Sequence, residues 1–524
     1  MRSGFRQSMN WLHTWTGLSL GWILYFVFLT GTLGYFDSEI DAWMKPELPV
    51  ETASAEDAAR AGQAYLTDKA PEAKRWFMAL PVNRNTPHLR LFWEEYPEGE
   101  QARGKTGSAF IDVGTGEELS GRATGGGQAL YRMHYALHYL PRTTAYYIVG
   151  VCTLFMLLAI ITGIVVHKKI FKDFFTFRRN KGPRSWLDIH NLLSVMALPF
   201  HIMITYSGLV FFLFTYMPLV VAGSYGFGDD NRQRFFDELY GAGATAELSG
   251  ERQSVQDLSA LVTDARSRLG NEVAYVNVYS PTDSSGEVHL SAASHSPLRD
   301  GPELIYSSAS GEFIRREGAG DQVPKAIYDT LLGLHEGLFA GTGLRWLYFI
   351  SGLLGTAMIG SGLILWSVKR GPSQLKNPSF GFRLVESLNV GTVVGVPIAI
   401  GAYFLANRLL PAGMEGRADW EIHVMFITLA AAMLYPLARP IRRCWVELLT
   451  LAAVVFAALP IVNALTTERG FLTSALAADW VFISVDALCL TLAAVAVYAR
   501  RYLSSRLGEP VRAGSPLNLS AQES

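Results

Sequence analysis

The chain has 524 residues, half of them hydrophobic and only 17% charged, with a mean hydropathy of +0.19. That is the composition of an integral membrane protein, and a formal net charge of −1 gives no electrostatic reason to expect a nucleic-acid partner. The three cysteines, Cys152, Cys444 and Cys489, are isolated, and no CxxC or CxxCH occurs. A disulfide framework, a zinc ribbon and covalently attached c-type haem are therefore disfavoured. The glycines at 125–127 form a turn-like run and not a dinucleotide fingerprint, which disfavours nicotinamide or flavin chemistry within this chain.

A bilayer span needs about 20 apolar residues. Eight stretches qualify: 16–36, 145–166, 188–214, 344–367, 385–408, 420–437, 445–465 and 478–499. The first is too long for a cleavable signal peptide, and no A-x-A site follows it at the right place. Between the first two spans, 56–77 has helical periodicity and is followed by the strand-like LRLFWEEY and SAFIDVGTGEEL. Between spans three and four the order recurs: VQDLSALVTDARSRLG, then VAYVNVYS, EVHLSAAS and ELIYSSASGEFI. DVGTGEE and YSSASGEF read as equivalent hairpins with Gly-bearing turns.

The segment 167–187 holds Lys168, Lys169, Lys172, Arg178, Arg179, Lys181 and Arg184 against the single acid Asp173. Lys369, Arg370, Lys376 and Arg383 follow span four, Arg439, Arg442 and Arg443 follow span six, and Arg500, Arg501 and Arg506 follow span eight. The excess of cations puts these turns, and both termini, in the cytoplasm. The two large segments then lie outside, and both are acidic. The expected fold is an α-helical integral membrane protein of about eight transmembrane helices with two outer α+β domains.

An internal repeat organises the first 370 residues. Thr30-Gly31 lies as far beyond His13 as Ser207-Gly208 lies beyond His190. TGIVVHKK (162–169) resembles SGLILWSVKR (361–370), and LHY (137–139) resembles LHE (334–336). Both copies begin inside, which implies parallel repeats about an axis normal to the membrane. Spans five to eight have no counterpart.

Ionisable groups inside a bilayer are costly and usually functional. His13, His167 and His190 lie at the inner ends of spans one, two and three; His134, His138 and His335 lie just outside spans two and four; His201 is well inside span three. On one continuous helix His190 and His201 would be about 16 Å apart and close to three turns, hence on one face. Two stacked imidazoles suit two metal centres at different depths, and imidazole is the usual axial ligand of b-type haem. For an inner centre His13 and His167 are partners of matching depth; for an outer one His201 has His138, His134 or His335. The repeat offers another pairing, His13 with His190 and His138 with His335, and the sequence does not choose between them. A histidine at a span end, such as His167 beside two lysines, can also simply snorkel to the interface, and so can His423. His88, His289 and His295 read as ordinary surface groups. Gly17 and Gly21 suit either a flat porphyrin or helix packing. Trp15, Trp22 and Trp346 read as interface belts.

MNWLHTWTGLSLG, HYALHYLP, TGIVVHKKIFKDFFTFR, RSWLDIHNLLSVMALPFHIMITYSGLVFF, LLGLHEGLF and RWLYFISGLLGTAMIGSGLILWSVKR together resemble the PepSY-associated transmembrane family, over about residues 1–370. The resemblance implies PepSY-like periplasmic domains at 37–144 and 215–343, a basic cytoplasmic loop at 167–187 and a cytoplasmic loop at 368–384. A four-helix membrane extension at 385–499 departs from the family's compact four-span pattern, and a cytoplasmic tail at 500–524 is expected after it. The resemblance implies a bacterial inner-membrane protein linked to iron acquisition, similar to ferric-siderophore reductases that carry two b haems. The matching histidines are His13, His138, His167, His190, His201 and His335, with His134 beside them. The substrate would be a ferric siderophore or another ferric complex, and the electron donor quinol or a cytoplasmic reductase. A membrane-anchored binding or inhibitory module without redox chemistry, and a solute transporter, are the rival readings.

Overall fold

The computed structural model describes residues 4–49, 53–84, 86–99, 104–167, 178, 181–216, 218–240, 248–293, 296–298, 302–318, 323–374 and 377–507. The expected basic residues Lys168, Lys169, Lys172, Arg179 and Lys376, together with Asp173, His295 and the tail beyond 507, lie outside the described residues. The chain forms two compact units, one of residues 1–46, 122–206 and 346–524, the other of residues 47–121 and 207–345.

The first unit is helical. Among the described residues seven helices are long and apolar enough to cross a membrane. They include α1 (Phe5–Gly34), α5 (Arg142–Val166) and α10 (Thr342–Arg370). Ahead of α5 run two short helices, α2 (Asp37–Met44) and α4 (Gly126–Ala136). The extension supplies the other four: α11 (380–409), α12 (Arg417–Leu434), α13 (Ile441–Thr466) and α14 (Trp480–Leu507). Each covers an expected span. Within α11, Gly391–Gly395 forms a π-helical turn. A Cβ at Gly391 would lie 2.6 Å from Met433 Cγ and one at Gly395 2.7 Å from Ala432 Cβ, so α11 and α12 need both glycines to touch.

The third expected span is not one helix. It consists of α6 (Pro183–Met196) and α7 (Leu198–Phe211), bent by 69°. Pro199 explains the break: it has no N–H to give the preceding turn, its ring clashes with the carbonyl four residues back, and it disfavours helical geometry just before it. Ala197, between the helices, is non-helical at φ −117°, ψ 26°. The expectation that His190 and His201 share one helix face about 16 Å apart therefore fails, because that spacing holds only along an unbroken axis.

The second unit contains the strands. β1 (Arg75–Ala79), β2 (Leu89–Glu94), β3 (Thr106–Ile111) and β4 (Glu118–Leu119) come from the first outer segment. β5 (Val273–Tyr279), β6 (Glu287–Ala292), β7 (Glu303–Ser307) and β8 (Phe313–Glu317) come from the second. They do not form two separate domains. One antiparallel sheet runs β4-β3-β2-β1-β5-β6-β7-β8, and β1 pairs with β5 in the register Arg75↔Tyr279 and Phe77↔Asn277. Each half alone would leave a flat central edge of unpaired backbone groups, and pairing the two removes it. α3 (Ala55–Lys69) and α8 (Leu258–Leu269) cover one face, over a shared core that includes Trp76, Met78, Leu91, Val276, Val278 and Leu290. Ser54 caps α3 by accepting from the Asp57 amide, and Asp257 caps α8 by accepting from the Ser259 amide. The two predicted hairpins match closely. Gly116 and Gly311 both have positive φ, +74° and +73°, and each amide donates to the carbonyl four residues back, of Asp112 and Ser307.

Candidate functional site

Within the helical unit, His13 of α1 and His190 of α6 meet with ring centres 6.2 Å apart and planes at 67°. Their seats repeat atom for atom. His13 Nδ1 lies 2.9 Å from the Ala159 carbonyl and 3.3 Å from Thr162 Oγ1, both on α5. His190 Nδ1 lies 2.9 Å from the Met358 carbonyl and 3.3 Å from Ser361 Oγ, both on α10. A carbonyl only accepts, so the proton of each neutral ring sits on Nδ1 and the lone pair sits on Nε2. The floor of each seat is glycine. A Cβ at Gly163 would stand 3.2 Å from His13 Cε1, and one at Gly362 would stand 3.1 Å from His190 Cε1. The sequence repeat TG–SG, at 162–163 and 361–362, is thus a repeated imidazole seat: a hydroxyl for Nδ1 and a missing side chain for the ring.

The other candidates separate. His134 Nδ1 donates to the Val27 carbonyl of α1 at 2.7 Å, and Gly31 leaves room for its ring. In the second unit, His335 Nδ1 lies 3.0 Å from Ser207 Oγ, with the Phe211 ring 5.2 Å away. His335 ends a helix, α9 (Val323–Glu336), seven residues before α10, and His134 lies eight residues before α5. His134, not His138, is therefore the positional counterpart of His335, which corrects the pairing drawn from LHY and LHE. The LHY–LHE likeness misled because the connection to the next span differs by a few residues. His138 instead stacks on Phe426 of α12, centres 6.2 Å apart at 20°, and the neighbouring Tyr139 hydroxyl is hydrogen-bonded to His423 Nδ1 at 2.6 Å.

His201 is fully buried, with Nε2 3.4 Å from the Ser351 carbonyl and Nδ1 within hydrogen-bond distance of no partner among the described residues. Leaving a buried polar atom unmatched costs about 1–3 kcal/mol, so its presence calls for an explanation. His167 closes the C-terminus of α5, and its Nε2 is also buried and without a partner among the described residues. Its repeat counterpart is Trp366, whose Nε1 has the same property. His289, read as a surface group, is well covered: it stands between Glu287 (3.0 Å) and Glu303 (3.2 Å) on the sheet face away from the helices.

The donor set at His13 and His190 fits axial ligation of a metal. Two metal–nitrogen bonds of about 2.0 Å and two ring radii of about 1.1 Å place the ring centres of such a pair roughly 6 Å apart. Ligating imidazoles almost always tie their second nitrogen to a carbonyl or hydroxyl, as both do here. A Cβ at Gly17, one turn beyond His13, would meet nothing within 4 Å among the described residues. Gly21, by contrast, is filled: its Cβ would lie 2.8 Å from Leu363 Cδ2, which makes it a packing glycine. Trp22 is not an interface belt, since its Nε1 donates to Asn389 Oδ1 at 2.8 Å.

Among known proteins, the chain is 25% identical over 301 residues to the uncharacterized protein PA4219 of Pseudomonas aeruginosa, covering 54% of this chain and 73% of that one. The family model of the PepSY-associated TM region matches residues 10–369, the stretch that holds both imidazole seats. A membrane protein built on a duplicated histidine-bearing helix unit, this chain belongs to the PepSY-associated transmembrane family.

Proposed function

We propose that the protein is a b-haem electron-transfer protein of the bacterial inner membrane. It takes electrons from quinol or a cytoplasmic reductase and reduces a ferric siderophore or another ferric complex on the periplasmic side. Both termini face the cytoplasm. The single observation that carries this reading is the His13–His190 pair, 6.2 Å apart with each Nδ1 tied to a carbonyl.

In this reading His13 and His190 would hold a b haem through their Nε2 atoms, and the haem would supply a one-electron relay in an otherwise insulating barrier. Ala159, Thr162, Met358 and Ser361 hold the proton of each ring on Nδ1, which fixes ring orientation and raises the basicity of Nε2. Gly163 and Gly362 let the helices approach each ring closely enough to exclude water from one side. The second b haem falls to the remaining histidines, with His134, His138, His201 and His335 as candidates on the outer side and His167 on the inner. Reduction of the substrate weakens its hold on oxygen-rich chelators, because Fe(II) is the softer and less charged ion.

The test is the visible spectrum of protein purified from haem-replete cells. A Soret band with sharp reduced α and β bands is expected, at about two haems per chain. A colourless preparation overturns the proposal and leaves the anchor or transporter readings.

A further inference from the structure

The family match stops at residue 369, so the extension α11–α14 lies outside it. One of its side chains nevertheless reaches both walls of the imidazole site. Asn389 of α11 is 2% exposed. Its Oδ1 accepts from Trp22 Nε1 of α1 at 2.8 Å. Its Nδ2 donates to the Leu363 carbonyl at 3.0 Å and to Ser367 Oγ at 2.9 Å, both on α10. Both amide protons and the amide oxygen are used, so the side chain is a three-point staple between two helices. Those helices are the ones that matter. α1 carries His13. α10 carries the Met358 carbonyl, Ser361 and Gly362, which seat His190, and Leu363 is the next residue.

A second contact lies one turn further along α11. The π-helical turn Gly391–Gly395 takes its carbonyls off the ordinary i→i+4 ladder, and such turns recur at functional sites. The Val393 carbonyl accepts from the Tyr25 hydroxyl of α1 at 3.1 Å. The Tyr25 ring in turn lies against α10, where a Cβ at Gly360 would stand 3.2 Å from its Cε2. α11 therefore holds α1 and α10 together at two successive levels. A hydrogen bond to a helix carbonyl constrains sliding along the axis, which apolar packing alone leaves soft.

We infer that Asn389 is a positioning residue for the imidazole pair: by stapling α1 to α10 it sets the separation and tilt of His13 and His190. On this view the extension is a clamp on the site. The inference rests on the proposed function only for its spectroscopic readout.

The test compares Asn389→Leu and the double variant Asn389→Leu/Trp22→Phe with a control, Ser387→Ala, which loses only a bond to the Met433 carbonyl of α12. The single variant strands the Trp22 N–H; the double removes both partners and so should fold even if the single does not. In both, one haem is expected to leave for apomyoglobin about 10–100-fold faster, with shifted low-spin ferric g-values, as for loss of an outer-shell partner. The control should match wild type. A haem-independent readout is the distance distribution between spin labels at Ser19 of α1 and Leu353 of α10, which should broaden in both variants. Unchanged distances together with unchanged haem loss overturn the inference. A colourless wild type whose labels still respond to Asn389→Leu keeps the staple and sinks the haem assignment instead.

Discussion

The two halves of the membrane repeat begin alike and end differently. In the first half α1 runs unbroken for 30 residues. In the second the corresponding stretch breaks between α6 and α7 with a 69° bend. Pro199 occupies the position that Trp22 occupies in α1, 177 residues earlier. One half thus has a tryptophan held by Asn389 of the extension where the other has a helix breaker. The inner ends nevertheless keep the same imidazole seat, down to the hydroxyl and the glycine. The seat is therefore the feature the two halves share, and the outer parts are where they differ. His201 belongs to the divergent part: the matching residue of α1 is Leu24.

Four measurements break or sharpen this comparison. The largest effect is expected from His13→Ala and His190→Ala. Each should remove about half of the haem absorbance per protein, one centre of two, and the two losses should be equal. A loss in one variant with full retention in the other breaks the equivalence of the halves.

Next come Gly163→Ala and Gly362→Ala. Each added methyl presses on an imidazole at about 3 Å, and overpacking of this kind costs about 1–3 kcal/mol. Matched increases in haem loss and matched drops in unfolding midpoint are expected. If Gly17→Ala, whose methyl would meet nothing within 4 Å among the described residues, perturbs the spectrum as much, the seats are not what holds the rings.

His201→Leu restores in the second half what Leu24 is in the first. If His201 is only a buried group with an unmatched Nδ1, the variant gains about 1–3 kcal/mol in detergent unfolding and keeps its haem. Loss of one haem with no gain would place His201 among the ligands and make the asymmetry functional.

The smallest effect concerns the sheet. In its second half, burial alone would lower the pKa of His289, but the hydrogen bonds and charges of Glu303 and Glu287 raise it. Burial likewise opposes ionisation of both glutamates, yet Arg315 and His289 hold Glu287 below its ordinary range, and His289 does the same for Glu303. A raised histidine contributes stability that is complete below about pH 6.5 and is lost as pH rises through the folded value. The depressed glutamates contribute above about pH 4.5 and fail as pH falls through their folded values. The thermal stability of the sheet should therefore fall as pH rises above about 6.5, and His289→Gln should flatten that slope. An unchanged slope would remove the cluster as its source.

Much of the fold is legible in the residues. Seven of eight apolar stretches are long helices, because about 20 apolar residues cannot be left in water and their backbone must be satisfied internally. The glycines of the two hairpins are local chemistry and appear where the pattern puts them. The third stretch, 188–214, breaks, and hydropathy does not register the cause, Pro199, whose missing N–H interrupts the helix. The equivalence of His13 and His190 was visible as spacing. The choice of His190 as the partner of His13, and of His134 as the counterpart of His335, was not.

By itself the sequence determined where apolar runs lie, which segments repeat and which residue types recur at matched offsets, since these depend only on neighbours along the chain. Tertiary structure alone decided that the two outer segments share one sheet through β1 and β5. It alone decided that two imidazoles 177 residues apart stand 6.2 Å from one another, and that an asparagine in the extension ties α1 to α10. Those pairings are between strand edges and helix faces far apart in sequence, and periodicity is silent about which face meets which. Only the packing that buries them selects the partner.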